Sequence, residues 1–182
     1  AMYDVLLYIV FAIWNIPIYI LHKFGISFLE NLTTLKSWAM LWNKGLIVVF
    51  MWLFIYYIDK IAKEFSVDEV GRSWLKYSVL SSFIVIYPAM IVGQYDLIPV
   101  VFTLAGILAY LKKNYKKFLI TFVFAVGMKF FAIFVFIPLV MMKEKNIFKI
   151  GGNCIVSFAI PLVTRILFRN DTAYLFSKEF SG

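Results

Sequence analysis

The sequence predicts an all-α, polytopic transmembrane helical bundle of about six to seven membrane segments, with short or broken helices around 118–142. Three observations predict it. Of the 182 residues, 63% are hydrophobic and the mean hydropathy is +0.89, whereas soluble globular domains are about 45–50% apolar. The uncharged runs are long and closely spaced. The basic residues cluster in the short gaps between them, where positive-inside topology signals belong. The net charge of +8 is therefore read as a topology signal, and nucleic acid is not an expected partner.

The runs, in order, are Val5–Leu21, Gly45–Ile58, Tyr77–Tyr95, Leu97–Leu111, Phe118–Met128, Phe130–Met142 and Ile150–Thr164. A spanning helix takes about 20 mostly apolar residues. The shorter runs extend through flanking Lys, Tyr and Trp side chains that snorkel to the interface, and Trp38, Trp42, Trp52 and Trp74 fit such belts. Val5–Leu21 contains Asn15 and Pro17 and either spans or lies along the outer face as an interfacial helix. No internal repeat or long linker divides the chain, so residues 1–182 read as one membrane domain. It starts without an initiator methionine and is apolar at once, which predicts an excerpt of a longer protein.

Charge orients the segments. The stretch Lys112-Lys113-Asn114-Tyr115-Lys116-Lys117 has four lysines and no acid, so it belongs in the cytoplasm, as does the stretch from Lys143 to Lys149. Gly93-Gln94-Tyr95-Asp96, one span away, then faces outside. A single helix over Phe118–Met142 would put the two lysine stretches on opposite faces and Lys129 near the bilayer centre. Two short helices meeting near Gly127-Met128-Lys129 put both stretches inside, so a hairpin is expected.

Few residues offer chemistry. Cys154 is the only cysteine and His22 the only histidine, which excludes an intramolecular disulfide and a multi-cysteine or histidine-cluster metal centre. His22 reads as an interfacial side chain. Asp96 lies between two uncharged runs, where a carboxylate costs roughly 2.5–3.5 kcal/mol at mid-membrane and marks a site or a boundary. It would bind Mg²⁺ or Mn²⁺, hold a sugar hydroxyl, orient another group, or simply cap a helix starting near Leu97. Gln94 suits hydroxyl recognition or turn stabilisation. Lys129 suits a phosphate in a low-dielectric cavity, or an ion pair with Asp96. Lys44 and Arg165 are alternative cations or interface snorkels. Asn31-Leu32-Thr33 and Asn170-Asp171-Thr172 match the glycosylation pattern, a cheap three-residue signal.

The order of these features resembles the GT-C superfamily of membrane glycosyltransferases, which includes GPI mannosyltransferase-like proteins and glucosyltransferases of lipid-linked oligosaccharides. The resemblance rests on Tyr3-Asp4-Val5-Leu6-Leu7-Tyr8, Leu41-Trp42-Asn43-Lys44-Gly45, and Tyr87-Pro88 before Gly93-Gln94-Tyr95-Asp96. It continues through the basic stretch to Ala125-Val126-Gly127-Met128-Lys129-Phe130-Phe131 and Ile137-Pro138-Leu139. It implies an extracytoplasmic hexosyltransferase with a polyprenyl-phosphate sugar as donor, membrane lipids around it, and a cell-envelope glycan or lipid as acceptor. Gln94, Tyr95, Asp96 and Lys129 would bind substrate, and Asp96 would hold a divalent cation if one is used. The general base would lie upstream of Ala1, with Asp4 the nearest carboxylate. A transporter or lipid flippase, or a non-catalytic membrane subunit, are the competing classes.

Overall fold

A computed structural model describes residues 5–25, 38–92 and 95–170. All regular structure among them is helical: α1 (Val5–Lys23), α2 (Trp38–Glu64), α3 (Glu69–Ser81), α4 (Phe83–Ile86), α5 (Leu97–Leu111), α6 (Tyr115–Met128), α7 (Ile133–Lys143), α8 (Ile147–Ser157) and α9 (Ala159–Leu167). A wider, π-wound turn covers Tyr87–Val92, and a tight 3-10 turn covers Phe130–Ala132. The chain divides into two compact units. An amino-terminal unit takes residues 9–101, and a carboxy-terminal unit takes 102–182 with residues 1–8.

Two helices among the described residues are long and apolar enough to cross a membrane, through Leu6–Lys23 of α1 and Leu41–Glu64 of α2. The pair α8 and α9, bent by 45°, makes a third if it is one span. This corrects the six to seven segments expected above. Composition counted the apolar runs correctly but could not see where helices stop. Tyr77–Tyr95 is not one helix: it breaks at Ser82, whose extended backbone ends α3, and changes winding at Pro88. Proline has no N–H to give the ladder, and clustered serines offer the backbone competing bonds. Ser81 Oγ, for example, donates to the Ser78 carbonyl at 3.3 Å. Helix α5 has 15 residues, about 22 Å at 1.5 Å per residue, against a hydrocarbon core of about 30 Å. Pro161 deprives the Ser157 carbonyl of its helical donor, and the chain bends there.

In the amino-terminal unit, α2 and α3 fold into a hairpin. Its turn closes with Ser66 in the left-handed region (φ 58) and with N–H bonds from Ser66 to the Lys63 carbonyl and Val67 to the Ala62 carbonyl. That pair is the Schellman pattern at a helix end. Asp68 then caps α3, accepting the Gly71 N–H at 3.1 Å. Across the hairpin, the Asp59 carboxylate receives Arg72 Nη1 and Lys76 Nζ, both at 3.4 Å. A small apolar core of Ile47, Met51, Ala89 and Leu97 backs the unit.

The carboxy-terminal unit packs around three phenylalanines. Phe118 and Phe122 of α6 and Phe136 of α7 are fully buried with ring centroids 5.0–5.3 Å apart. Helix α5 lies antiparallel to α6, with Phe102 against Phe124 and Tyr110 against Phe118. Gly106 makes that approach possible, since a Cβ there would sit 2.5 Å from the Phe122 ring.

Candidate functional site

The Asp96 region belongs to the amino-terminal unit. After the π-wound turn Tyr87–Val92, Gly93 and Gln94 lie outside the described residues, so the expected role of Gln94 has no placement. Tyr95 is half-buried and meets Phe11 edge to face, with centroids 4.3 Å apart. Asp96 stands directly before α5, and its main-chain carbonyl accepts the Val100 N–H at 3.4 Å. Leu97, Ile98 and Pro99 follow as a buried first turn. Proline is tolerated there because the first N–H groups of a helix have no intrahelical partner. The residue thus stands at the amino-terminal, positive end of the α5 dipole.

Lys129 belongs to the carboxy-terminal unit and marks the apex of a hairpin. It ends α6 with an extended backbone (φ −157, ψ 129), its N–H donating to the Ala125 carbonyl at 3.0 Å. The 3-10 turn and α7 then run back. The Lys143 ammonium at the end of α7 lies 3.5 Å above the centroid of the Tyr115 ring at the start of α6. Residues 115–143 are therefore a returning pair, not one continuous helix. The residues flanking the apex are packed tightly: Met128 is 1% and Ala132 0% exposed. A Cβ on Gly127 would lie 3.0 Å from Ile160 of α9. Lys129 is partly exposed amid them. Helix α6 has 14 residues, about 21 Å, so the apex is one short helix away from the lysine-bearing turns.

At the other end of the hairpin, Asn114 caps α6 by accepting the Lys117 N–H at 3.1 Å, and Asn146 caps α8 by accepting the Phe148 N–H at 2.9 Å. Asn153 Nδ2 donates to the Tyr115 hydroxyl. Burial, followed by the Glu144 and Cys154 charges, raises the Tyr115 phenol above its ordinary value. Sequence reasoning treated Tyr115 only as part of a basic loop. The signal it missed was the spacing, since an aromatic between two lysine pairs faces the next turn once the helices fold back.

Of the four expected substrate-binding residues, only Tyr95 and Asp96 lie together in one unit. Lys129 belongs to the other unit. Lys44 lies within α2, and Arg165 is exposed on α9. His22 is exposed in the last turn of α1. Asp4, the Asn31 tripeptide and the last two residues of the Asn170 tripeptide lie outside the described residues. Among the described residues no three His, Cys, Asp or Glu side chains gather where a metal ion would sit.

Sequence reasoning also missed a polar contact between α1 and α2. Trp42 was assigned to an interfacial belt, but its indole N–H donates to Trp14. Trp52 and Trp74 are exposed, and Trp52 falls midway along the candidate span Leu41–Glu64, not at its end. The chain matches no family model, no curated protein and no solved structure.

Proposed function

We propose that the chain is a membrane module of a GT-C-type hexosyltransferase that uses a polyprenyl-phosphate-linked sugar. The observation that carries the reading is the α6–α7 hairpin, which holds Lys129 at its apex, opposite the Tyr115–Lys143 contact. A partly exposed lysine in an apolar, tightly packed turn suits an anionic lipid phosphate. Neutralising charge there is worth more than in water, because the surroundings have a low dielectric constant.

In the proposed reaction an acceptor hydroxyl oxygen attacks the anomeric carbon of the hexose. The bond from that carbon to the lipid-phosphate oxygen breaks, and its electron pair leaves on the phosphate, which Lys129 stabilises. The hydroxyl proton passes to a carboxylate base of the kind the family resemblance implies. The family resemblance assigns Gln94, Tyr95 and Asp96 to the binding of donor or acceptor hydroxyls. The module sits in the cytoplasmic or plasma membrane with the lysine turns inside and the reacting groups outside.

The test uses a photoreactive polyprenyl phosphate with the full chain in lipid vesicles. Labelling should fall about tenfold in Lys129→Gln and stay within twofold in Lys129→Arg, since a pair with phosphate is worth on the order of 1.4 kcal/mol. Single cysteines at positions 96 and 129, in a Cys154→Ser background, should both react with an impermeant reagent from the outer side. Reaction from opposite sides, or unchanged labelling in Lys129→Gln, rejects the proposal.

A further inference from the structure

The two lysine-bearing turns of the carboxy-terminal unit form one surface. The first carries Lys112, Lys113, Lys116 and Lys117, and the second carries Lys143, Lys145 and Lys149; all seven are exposed. They lie about 30 residues apart in sequence but at one end of the helices. Tyr115 joins them, with the Lys143 ammonium over its ring and Asn153 of α8 donating to its hydroxyl. The only acid in the sequence between residues 97 and 170 is Glu144.

We infer that this surface binds the phosphate headgroups of anionic phospholipids. Positive charge alone fits any polyanion; one feature selects a lipid surface, and a second bears on the charge itself. First, exposed apolar side chains are interleaved with the lysines: Met142 is 76%, Ile147 75% and Phe148 86% exposed. A site for RNA or free phosphate has no use for them, whereas a headgroup layer takes ammonium groups at phosphate level and apolar side chains just below. Second, Lys113 occupies the left-handed C-terminal position of α5 (φ 57), where glycine is the unstrained choice. Lysine there supplies charge at a conformational cost. The inference does not depend on the glycosyl donor proposed for Lys129.

The full chain would be reconstituted in vesicles of equal phosphatidylglycerol and phosphatidylcholine, extracted with mild detergent, and its retained lipids counted by mass spectrometry. Phosphatidylglycerol should exceed phosphatidylcholine about fivefold, the factor expected when each nearby lysine contributes modestly at a charged surface. The ratio should fall toward unity in K112Q/K113Q/K116Q/K117Q and in high salt. The same four positions changed to arginine should keep it, which separates charge from folding damage. Equal retention of both lipids, or an unchanged ratio in the glutamine variant whose helical circular dichroism is intact, overturns the inference. So does removal of the retained lipid by inorganic phosphate, which would indicate an ion site, or tighter binding to an RNA oligonucleotide than to phosphatidylglycerol vesicles.

Discussion

Trp14 and Trp42 each donate an indole N–H to the other's main-chain carbonyl, at 2.9 Å from Trp14 and 3.1 Å from Trp42. Their rings stack with centroids 5.1 Å apart. Beside them Asn15 Nδ2 donates to Asn43 Oδ1 at 3.1 Å and to the Phe11 carbonyl at 2.9 Å. The same Trp-Asn dipeptide occurs on both helices, and the exchange is reciprocal. Between apolar helices, hydrogen bonds and close packing supply association that the hydrophobic effect does not.

Replacing Trp42 by Phe keeps much of the stack and removes one donor. It should cost about 0.5–1.5 kcal/mol in reversible unfolding from mixed micelles. An Asn15→Ala, Asn43→Ala double-mutant cycle should give a coupling near 0.6 kcal/mol. Zero coupling would show that the amide pair contributes no interaction of its own.

The α5–α6 contact depends on the missing side chain of Gly106. A methyl group there meets the Phe122 ring at 2.5–2.6 Å, and Phe122 is held by Phe118 and Phe136 and cannot yield. Gly106→Ala should destabilise by about 1–3 kcal/mol through overpacking. Gly151→Ala, on α8 with open space around it, should instead gain about 0.5–1 kcal/mol. Equal effects at the two sites would refute the packing argument.

Ser66 closes the α2–α3 hairpin in the left-handed region (φ 58). Ser66→Gly should raise stability by up to about 1 kcal/mol, because the side chain's clash with the carbonyl is removed. A loss of stability would mean that the serine side chain does more for the turn than its backbone strain costs.

Tyr115 sets an alkaline limit. Its phenol is raised above the ordinary 10.0, first by burial and then by Glu144. The folded state therefore favours the protonated phenol. The stability this gives is fully present below the unfolded value and is lost as pH rises through the higher folded value. Phenolate absorbance of wild type minus Tyr115→Phe should show a component titrating above 10, moving down in Glu144→Gln. A component at or below the ordinary value contradicts the burial described here.

The returning helix pair around Lys129 was legible in the sequence. A continuous helix over Phe118–Met142 would leave Lys129 near the bilayer centre, and that charge argument rests on the sequence alone. Gly93, Pro88 and Pro99 in the sequence predict a break near Asp96, and α5 begins afresh at Leu97. The Trp14–Trp42 exchange was not legible, because nothing in a sequence says which residues 28 positions away a helix will meet. Nor was the salt bridge of Asp59 with Arg72 and Lys76, which requires the left-handed turn at Ser66 to set the register of α3 on α2.

The sequence by itself determined that the chain is helical and suited to a membrane, since long uncharged runs must satisfy their backbone internally, and that its lysines gather in turns. Only the tertiary structure decided how many runs become helices of spanning length. Length in ångströms depends on local stops at Ser82, Pro88, Lys129 and Pro161, which an average over composition hides. It also decided that the two lysine turns share one end, because that follows from Phe118, Phe122 and Phe136 closing α6 onto α7.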